Sequence, residues 1–371
     1  MSRMSRLQDV TSKALSRWME ARGPESDTVI SSRIRLARNI EGLPFPHVMT
    51  GDQARKVIDQ VEAALGSPQA ARLGLGDAEV FRLDDMPLLD RYVLVEKHLI
   101  SPNLAQSGER GAVVIGAGEA VSIMINEEDH LRVQCLFPGL QLGEALTLAS
   151  KVDDLLESRL EYAFSEKHGY LTACPTNVGT GMRASVMIHL PALVINNQAG
   201  RVLSTVVKLG FIVRGLYGEG TEAIGNIFQV SNQVTLGQSE AETVQNLQNV
   251  VEQVIGKEKQ VREAMLSEIR AQIEDKVGRA YGILLWSHIL SSQEAMQLLS
   301  DLRLGVETGL IKGIEPRVLN ELLVAIRPGY LQKLADKELD PEERDVKRAE
   351  LIRSRLNPGP ASPKGAGGRV S

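Results

Sequence analysis

The chain is best entered at Cys174-Pro175-Thr176-Asn177-Val178-Gly179-Thr180-Gly181-Met182-Arg183-Ala184-Ser185, a short run within its 371 residues. Pro175 restricts φ and donates no main-chain hydrogen bond, while Thr176 and Asn177 bring side-chain hydrogen bonds suited to a turn. Gly179 and Gly181 permit a positive φ or close approach of the backbone to a ligand. After them Arg183 to Leu190, Arg-Ala-Ser-Val-Met-Ile-His-Leu, predicts a short strand. The segment is a loop that carries one thiol, bends on two glycines and hands an arginine to a strand. An ordinary turn uses the same residue types, so composition alone leaves both readings open.

Two other segments are comparably dense. Ser31-Ser32-Arg33-Ile34-Arg35-Leu36-Ala37-Arg38-Asn39 sets Arg33 and Arg35 two apart, hence on one face of an extended segment. A solvated basic face has that spacing too. Asn126-Glu127-Glu128-Asp129-His130-Leu131-Arg132 follows an apolar run, as an active-site loop at a strand end does, or an acidic turn.

Around these motifs the periodicity predicts α+β, with helices on a mostly antiparallel sheet, followed by an all-α C-terminal part. Short helices are expected near Ala14 to Met19 and from Gly51 to Leu65, and a strand from Arg91 to Ile100. A hairpin is expected over Gly111 to Ile125, turning on Gly-Ala-Gly-Glu, with a further strand through Leu136. Residues 143–167 and 192–209 read as helices, Phe211 to Gly215 and Asn226 to Leu236 as strands, and the chain from Ser239 as almost wholly helical. The expected division is 1–25, a helical segment; 26–255, the catalytic part; 260–355, the helical part; and 356–371, a Pro- and Gly-rich tail without a core. The sequence holds no internal repeat, Walker P-loop or Rossmann fingerprint.

Hydrophobic content of 43% and charged content of 24% are those of a globular protein. A net charge of -5 argues against a general nucleic-acid binder. Two cysteines make no disulfide framework, and there is no apolar run of signal-peptide or membrane-spanning length. A reducing cytoplasm, with no direct nucleic-acid or membrane partner, is the expected setting.

Together the three motifs resemble the active-site signatures of the guanidino (phosphagen) kinases, the creatine and arginine kinase superfamily. Cys-Pro-Thr-Asn-x-Gly-Thr-Gly-x-Arg-Ala-Ser at 174–185 carries most of the match. The layout is most similar to the bacterial protein-arginine kinase branch of the stress response, over about residues 27 to 350. The resemblance implies ATP as phosphoryl donor, with Mg²⁺ taking part of the phosphate charge and no metal held directly by protein ligands. It implies that Arg33, Arg35, Arg132, Arg183 and Arg214 grip phosphates and that His98 lies beside the adenine. Ser31, Ser32, Ile34, Ala184, Ser185, Val186, Met187, Gly215, Leu216, Tyr217, Gly218 and Glu219 complete the implied nucleotide site. Glu128 and Glu219 match two carboxylates that hold the guanidinium acceptor, Glu219 on a glycine-rich flap, and Cys174 matches the reactive cysteine. Without that context a buried inert thiol would be the ordinary reading of Cys174, as it is of Cys135.

The chemistry suits those residue types. Arginine forks give parallel charge-assisted hydrogen bonds to phosphate, each worth about 1.5–3 kcal/mol net. A guanidinium titrates above 12 and a carboxylate near 4, a gap of roughly 8 units or about 11 kcal/mol. No ordinary glutamate therefore deprotonates the acceptor before attack; the carboxylates orient the nitrogen and the proton leaves as the N–P bond forms.

The acceptor is read from layout. Small-molecule guanidino kinases carry a sizeable helical domain before the Ser-Ser-Arg-x-Arg motif, whereas here 30 residues precede it and a helical part follows. The resemblance thus implies arginine side chains of proteins as acceptors, and Clp-protease degradation of the marked proteins. It also implies a heat-shock repressor among the substrates, a zinc-finger activator, a Clp unfoldase partner and a homodimer or higher assembly. The alternatives are a kinase of a free guanidino compound and a non-catalytic phosphoarginine-binding adaptor. Late in the helical part, Arg344-Asp345-Val346-Lys347-Arg348-Ala349 puts Arg344 and Arg348 four apart, on one helix face. A solvated face is the plain reading; the resemblance implies an allosteric phosphoarginine pocket.

Overall fold

Apolar residues at every second position make strands that bury one face, and here they assemble into a single large antiparallel sheet. The computed structural model describes residues 3–76, 78–106, 108–215 and 223–357. The strands are β1 (Val29–Arg38), β2 (Glu79–Arg82), β3 (Ala112–Ile115), β4 (Val121–Ile125) and β5 (Leu131–Pro138). After the small pair β6 (Phe164–Ser165) and β7 (Gly169–Tyr170) come β8 (Met182–His189), β9 (Phe211–Gly215) and β10 (Ile227–Asn232). The main sheet runs β2-β3-β4-β5-β1-β8-β10-β9, every neighbouring pair antiparallel. The fold class expected from the sequence is the one observed, and the hairpin over Gly111 to Ile125 forms as β3 and β4.

One face of the sheet is apolar throughout: Ile34, Leu36, Val133, Cys135, Ala184, Val186, Val213 and Val230 lie in a single core cluster. Helices α2 (Gly51–Leu65), α6 (Leu142–Glu157), α7 (Pro191–Ile195), α8 (Ala199–Lys208) and α9 (Glu240–Glu268) close over it; α1 (Arg3–Ser12), α3 (Pro68–Arg72), α4 (Leu88–Glu96) and α5 (Pro102–Gln106) complete the helices before α9. Capping boxes, Thr50 with Gln53 and Ser239 with Glu242, start α2 and α9 where sequence signals place them. On the opposite face Ile30, Leu136, Met187 and Ile227 join a second core, shared with α1, α4, α5 and the C-terminal helices. Those are α10 (Arg270–Trp286), α11 (Ser292–Glu307), α12 (Pro316–Ala325), α13 (Pro328–Ala335) and α14 (Pro341–Leu356).

The 29-residue α9 runs unbroken through positions 255–260, and its buried Val244, Leu247, Val251, Val254, Val261 and Met265 recur at helical spacing. Beyond the point where the domain division was expected, Glu258 is fully buried and accepts hydrogen bonds from Ala192 N (3.0 Å) and Leu193 N (2.9 Å) at the start of α7.

Four segments depart from expectation. Residues 91–96 are helix, not strand: a short apolar run of which Val93 and Leu94 are buried and Tyr92 is exposed fits either, and Pro87 starts the helical turn. The helix expected over 143–167 ends at Glu157, ahead of a turn in which Gly169 takes φ +74°. The helix expected over 192–209 is two, broken where Asn197 takes φ +54°. Near the N-terminus, α1 lies earlier than expected and Arg17–Met19 form a 3-10 turn. The expected coreless tail, from residue 358 onward, lies outside the described residues.

Candidate active site

Alternation sorts the predicted residues by face. Arg33 and Arg35 point away from the Ile34–Leu36 core, and register carries the same face across the sheet. Arg35 stands opposite Arg183 on β8 and Ala37 opposite Arg132 on β5, while Arg214 on β9 stands opposite Gln229 on β10. Five arginines from four strands thus lie on one face. Like charges directly opposite across a sheet are destabilising. Burial, then the Arg183 and Arg132 charges, pulls the Arg33 guanidinium down to about 10. Arg35 is pushed well below its usual range by burial, then by Arg33, Arg132 and Arg183, with Glu127 opposing. Arg183 is lowered by burial, then by Arg214 and Arg132. Such a face is relieved by a polyanion.

Neutral partners hold two of the forks. Arg33 Nε donates to Ser185 Oγ (3.2 Å) and Nη2 to Gln229 Oε1 (2.9 Å); Arg183 Nη2 donates to Ser231 Oγ (3.1 Å). A small cavity lined by Trp18, Ser31, Arg33, His98, Ser185, Met187 and Gln229 continues from the arginines. His98 sits just past α4 at φ +60°, its ring 5.4 Å from that of Trp18 in an edge-on arrangement. Burial, then Arg33 and Arg327, lowers His98 to about 3, so the ring is a neutral wall rather than a proton carrier. The turn is anchored on both sides. Lys97 donates to Val10 O (2.6 Å), Lys13 O (2.9 Å) and Glu119 Oε1 (2.8 Å). Glu96 accepts from Gly329 N (2.7 Å) and Tyr330 N (2.8 Å).

Four residues of the predicted nucleotide set are displaced from this face. Ile34, Ala184 and Val186 belong to the apolar core on the other side, and Ser32 Oγ is spent between Gly139 O (2.8 Å) and Gln141 N (3.0 Å). The period of two forbids neighbours on a strand from sharing a face. Leu216, Tyr217, Gly218 and Glu219 lie outside the described residues, next to the half-buried Gly215.

At the same end of the strands the acidic loop and the thiol loop meet. Asp129, buried, accepts with Oδ1 from Asn39 Nδ2 and Ala173 N, both at 2.7 Å, so the residues after Glu128 and before Cys174 are tied together. The two glutamates divide labour. Glu127 is buried, ion-paired with Arg132 Nη1 and accepting from Ser101 Oγ (2.7 Å). Glu128 is 42% exposed, touches Arg132 Nη2 at 3.1 Å and is open to an incoming cation. Cys174 is half-buried, its Sγ 3.0 Å from Thr176 Oγ1, whereas Cys135 is buried and its thiol is pushed up to about 12 by burial.

The signature loop is held by its neighbours. Gly179 has φ +116°, and a Cβ there would lie 2.2 Å from Thr235 O; Gly181 has φ +63°, with Ala37 O at 2.6 Å. Thr180 N donates to Thr235 O (2.9 Å), and Thr235 Oγ1 reaches Thr176 O (2.9 Å) and Val178 O (2.7 Å). Arg38, third in its motif, is structural: buried, bidentate on Asp153 Oδ2 (3.0 and 2.7 Å), bonded to Thr180 O and stacked on Tyr170.

Known proteins resemble this chain along most of its length. Residues 56–261 match the ATP:guanido phosphotransferase C-terminal catalytic domain, and residues 270–365 the C-terminal domain of the protein-arginine kinase McsB. A protein-arginine kinase of Moorella thermoacetica is 56% identical over 92% of this chain and 97% of its own length; one from Pelotomaculum thermopropionicum is 54% identical over 94% and 97%. The chain belongs to the protein-arginine kinases. A lombricine kinase structure shares the kinase's fold at TM-score 0.54 and 27% identity, over 66% of this chain and 70% of that one. A duplicated taurocyamine kinase from Schistosoma mansoni, 23% identical over 68% of this chain and 35% of its own, shows the same fold at TM-score 0.51.

Sequence reasoning about the kinase missed Trp18, Gln229, Ser231 and Thr235, which lie outside the three motifs and gain meaning only through register. Glu127 stood in plain view, but nothing local distinguishes which of two adjacent glutamates faces inward. In the C-terminal part the pair Arg344 and Arg348 is unequal. Arg348 is buried, with Nε on Ile326 O (2.9 Å), Nη1 on Leu290 O (2.7 Å) and an ion pair to Asp345. Half-buried Arg344 donates to Leu339 O (2.9 Å). Val346 and Lys347 face outward, Lys347 paired with Glu350, and Ala349 is buried.

Proposed function

We propose that the kinase moves the γ-phosphoryl group of Mg²⁺-ATP onto arginine side chains of proteins, with Glu128 and Cys174 at the acceptor. The observation that carries this reading is the juxtaposition of five same-face arginines with an open glutamate and a thiol at one end of the sheet. Arg33, Arg35, Arg132, Arg183 and Arg214 bind the polyphosphate, and bound Mg²⁺ would supply the rest of the charge neutralisation. Trp18 and His98 wall the base. Glu127 holds Arg132 in place, which leaves Glu128 to orient the acceptor nitrogen. The proton departs as the N–P bond forms, since a carboxylate lies about 11 kcal/mol short of taking it beforehand. Glu219 is the second acceptor carboxylate in this reading, on the strength of its motif match alone.

The partners implied by the resemblance belong to the same proposal: a heat-shock repressor among the substrates, a zinc-finger activator, a Clp unfoldase and protease receiving the marked proteins, and a homodimer in the cytoplasm. So does an allosteric phosphoarginine site at Arg344, Asp345 and Arg348. There an incoming phosphate meets half-buried Arg344 first, and engages Arg348 only at the expense of its carbonyl bonds. The deciding experiment incubates the kinase with ATP, Mg²⁺ and an unfolded protein and maps acid-labile phosphate by mass spectrometry. Phosphate on arginine is the expected result; phosphate only on a free guanidino compound would overturn the reading.

A further inference from the structure

A surface groove of about 320 Å³ lies between the first half of α9 and the ends of β9 and β10. Among the described residues its lining holds no ionisable side chain, although 24% of the chain is charged. Exposed Gln233, Gln238, Asn246 and Asn249 offer amides, and exposed Leu209 and Val234 offer apolar contact. An amide side chain both donates and accepts, and so matches the N–H and C=O of an extended peptide whatever its sequence. The groove also reaches the first residue of β9, Phe211; among the described residues β9 pairs with β10 alone, and an edge strand is a template for an added chain. Its place in the fold matters most. Val234 lines the groove, and Thr235, next in the chain, bonds Thr176 O and Val178 O beside Cys174. The groove therefore ends, on the α9 side of the sheet, one residue from the segment that holds the thiol loop.

We infer that this groove docks an extended, uncharged stretch of the substrate polypeptide flanking the arginine to be phosphorylated. The inference rests on the protein-acceptor reading above and names how that acceptor is held. It favours unfolded segments, because only an extended main chain presents its hydrogen-bonding groups to the amides. Selectivity here comes from backbone and neutrality, not from a charged consensus.

The test is the variant Asn246→Glu, Asn249→Glu, two exposed helix positions that introduce charge without touching the core. Phosphorylation of unfolded casein is measured against casein and ATP concentration, with thermal unfolding of the variant alongside. A casein KM raised about tenfold or more, with kcat, the KM for ATP and the melting temperature unchanged, is expected. Anisotropy of a labelled arginine-containing unfolded peptide, without nucleotide, should show the same loss of binding. A casein KM within twofold of wild type, or a change shared by the KM for ATP, would overturn the inference. Wild-type kinase that labels no protein at all would instead sink the acceptor reading beneath it.

Discussion

Replacing Gly179 by alanine tests whether the signature loop positions the chemistry or merely connects strands. At φ +116° the added side chain is strained, at a cost of about 1–2 kcal/mol. Its Cβ would begin 2.2 Å from Thr235 O, so loop and carbonyl must part by more than 1 Å to reach ordinary contact. That movement breaks Thr180 N to Thr235 O and weakens Thr235 Oγ1 to Val178 O, about 1 kcal/mol each. The sum is a destabilisation of roughly 3–4 kcal/mol if the fold absorbs all of it. If the loop yields instead, a displacement of that size beside the reacting atoms can cost about 10²-fold in rate. The control lies nearby. Gly237 has φ +84° but no atom within 4 Å of its added Cβ, so Gly237→Ala costs only backbone strain. Urea unfolding and steady-state kinetics on both variants separate the effects. Gly179→Ala should lose about 2 kcal/mol more stability than Gly237→Ala, or about 10²-fold in kcat, or a share of each. Equal stability and equal turnover in the two variants would refute the argument that Thr235 holds this loop.

Three further outcomes follow from the site. Arg35→Met, which removes a half-buried charge facing Arg183, should raise the melting temperature of the nucleotide-free kinase while weakening ATP binding about 10- to 100-fold by calorimetry. Iodoacetamide at about pH 8 should modify one thiol in the native kinase and two after denaturation, because the Cys135 thiol is buried and raised to about 12; modification at Cys174 should abolish transfer. Burial pushes the Glu96 carboxyl from 4.5 up to about 7, against the opposing Gly329 and Tyr330 N–H groups and Arg327. A carboxyl raised on folding contributes most below about pH 4.5 and loses that contribution as the pH climbs through 7. Wild-type stability should therefore fall relative to Glu96→Gln over that window, by up to about 3 kcal/mol in chemical denaturation.

Much of this was legible in the sequence because it is local. The alternation in 31–39 and 182–189 put Arg33, Arg35 and Arg183 on strand faces, and the glycines of 174–185 marked a loop under steric constraint. Ser32, Ile34, Ala184 and Val186 show the limit of motif matching: a motif names adjacent residues, whereas a sheet sends adjacent side chains to opposite sides. Residues 91–96 differ from expectation because a short apolar run carries no period that distinguishes helix from strand. Trp18, Gln229 and Thr235 reach the site through register and packing, long-range facts with no local signature. The inequality of Arg344 and Arg348 has the same origin: spacing gives them one helix face, but only the packing of α14 against Ile326 and Leu290 buries one of them.

The continuity of α9 has a consequence for how the two parts of the chain can be inherited and dissected. Glu258 lies past residue 255, where the catalytic part was expected to end, yet satisfies Ala192 N and Leu193 N within that part. A chain cut at residue 255 would leave those two main-chain donors without their acceptor, at about 1–3 kcal/mol each, and would expose the seam occupied by Val261 and Met265. Neither half could be exchanged for a foreign one without supplying a carboxylate at that point of the helix. Recombination between relatives should therefore succeed with crossover points before Ser239 or after Glu268, and fail within the helix between them.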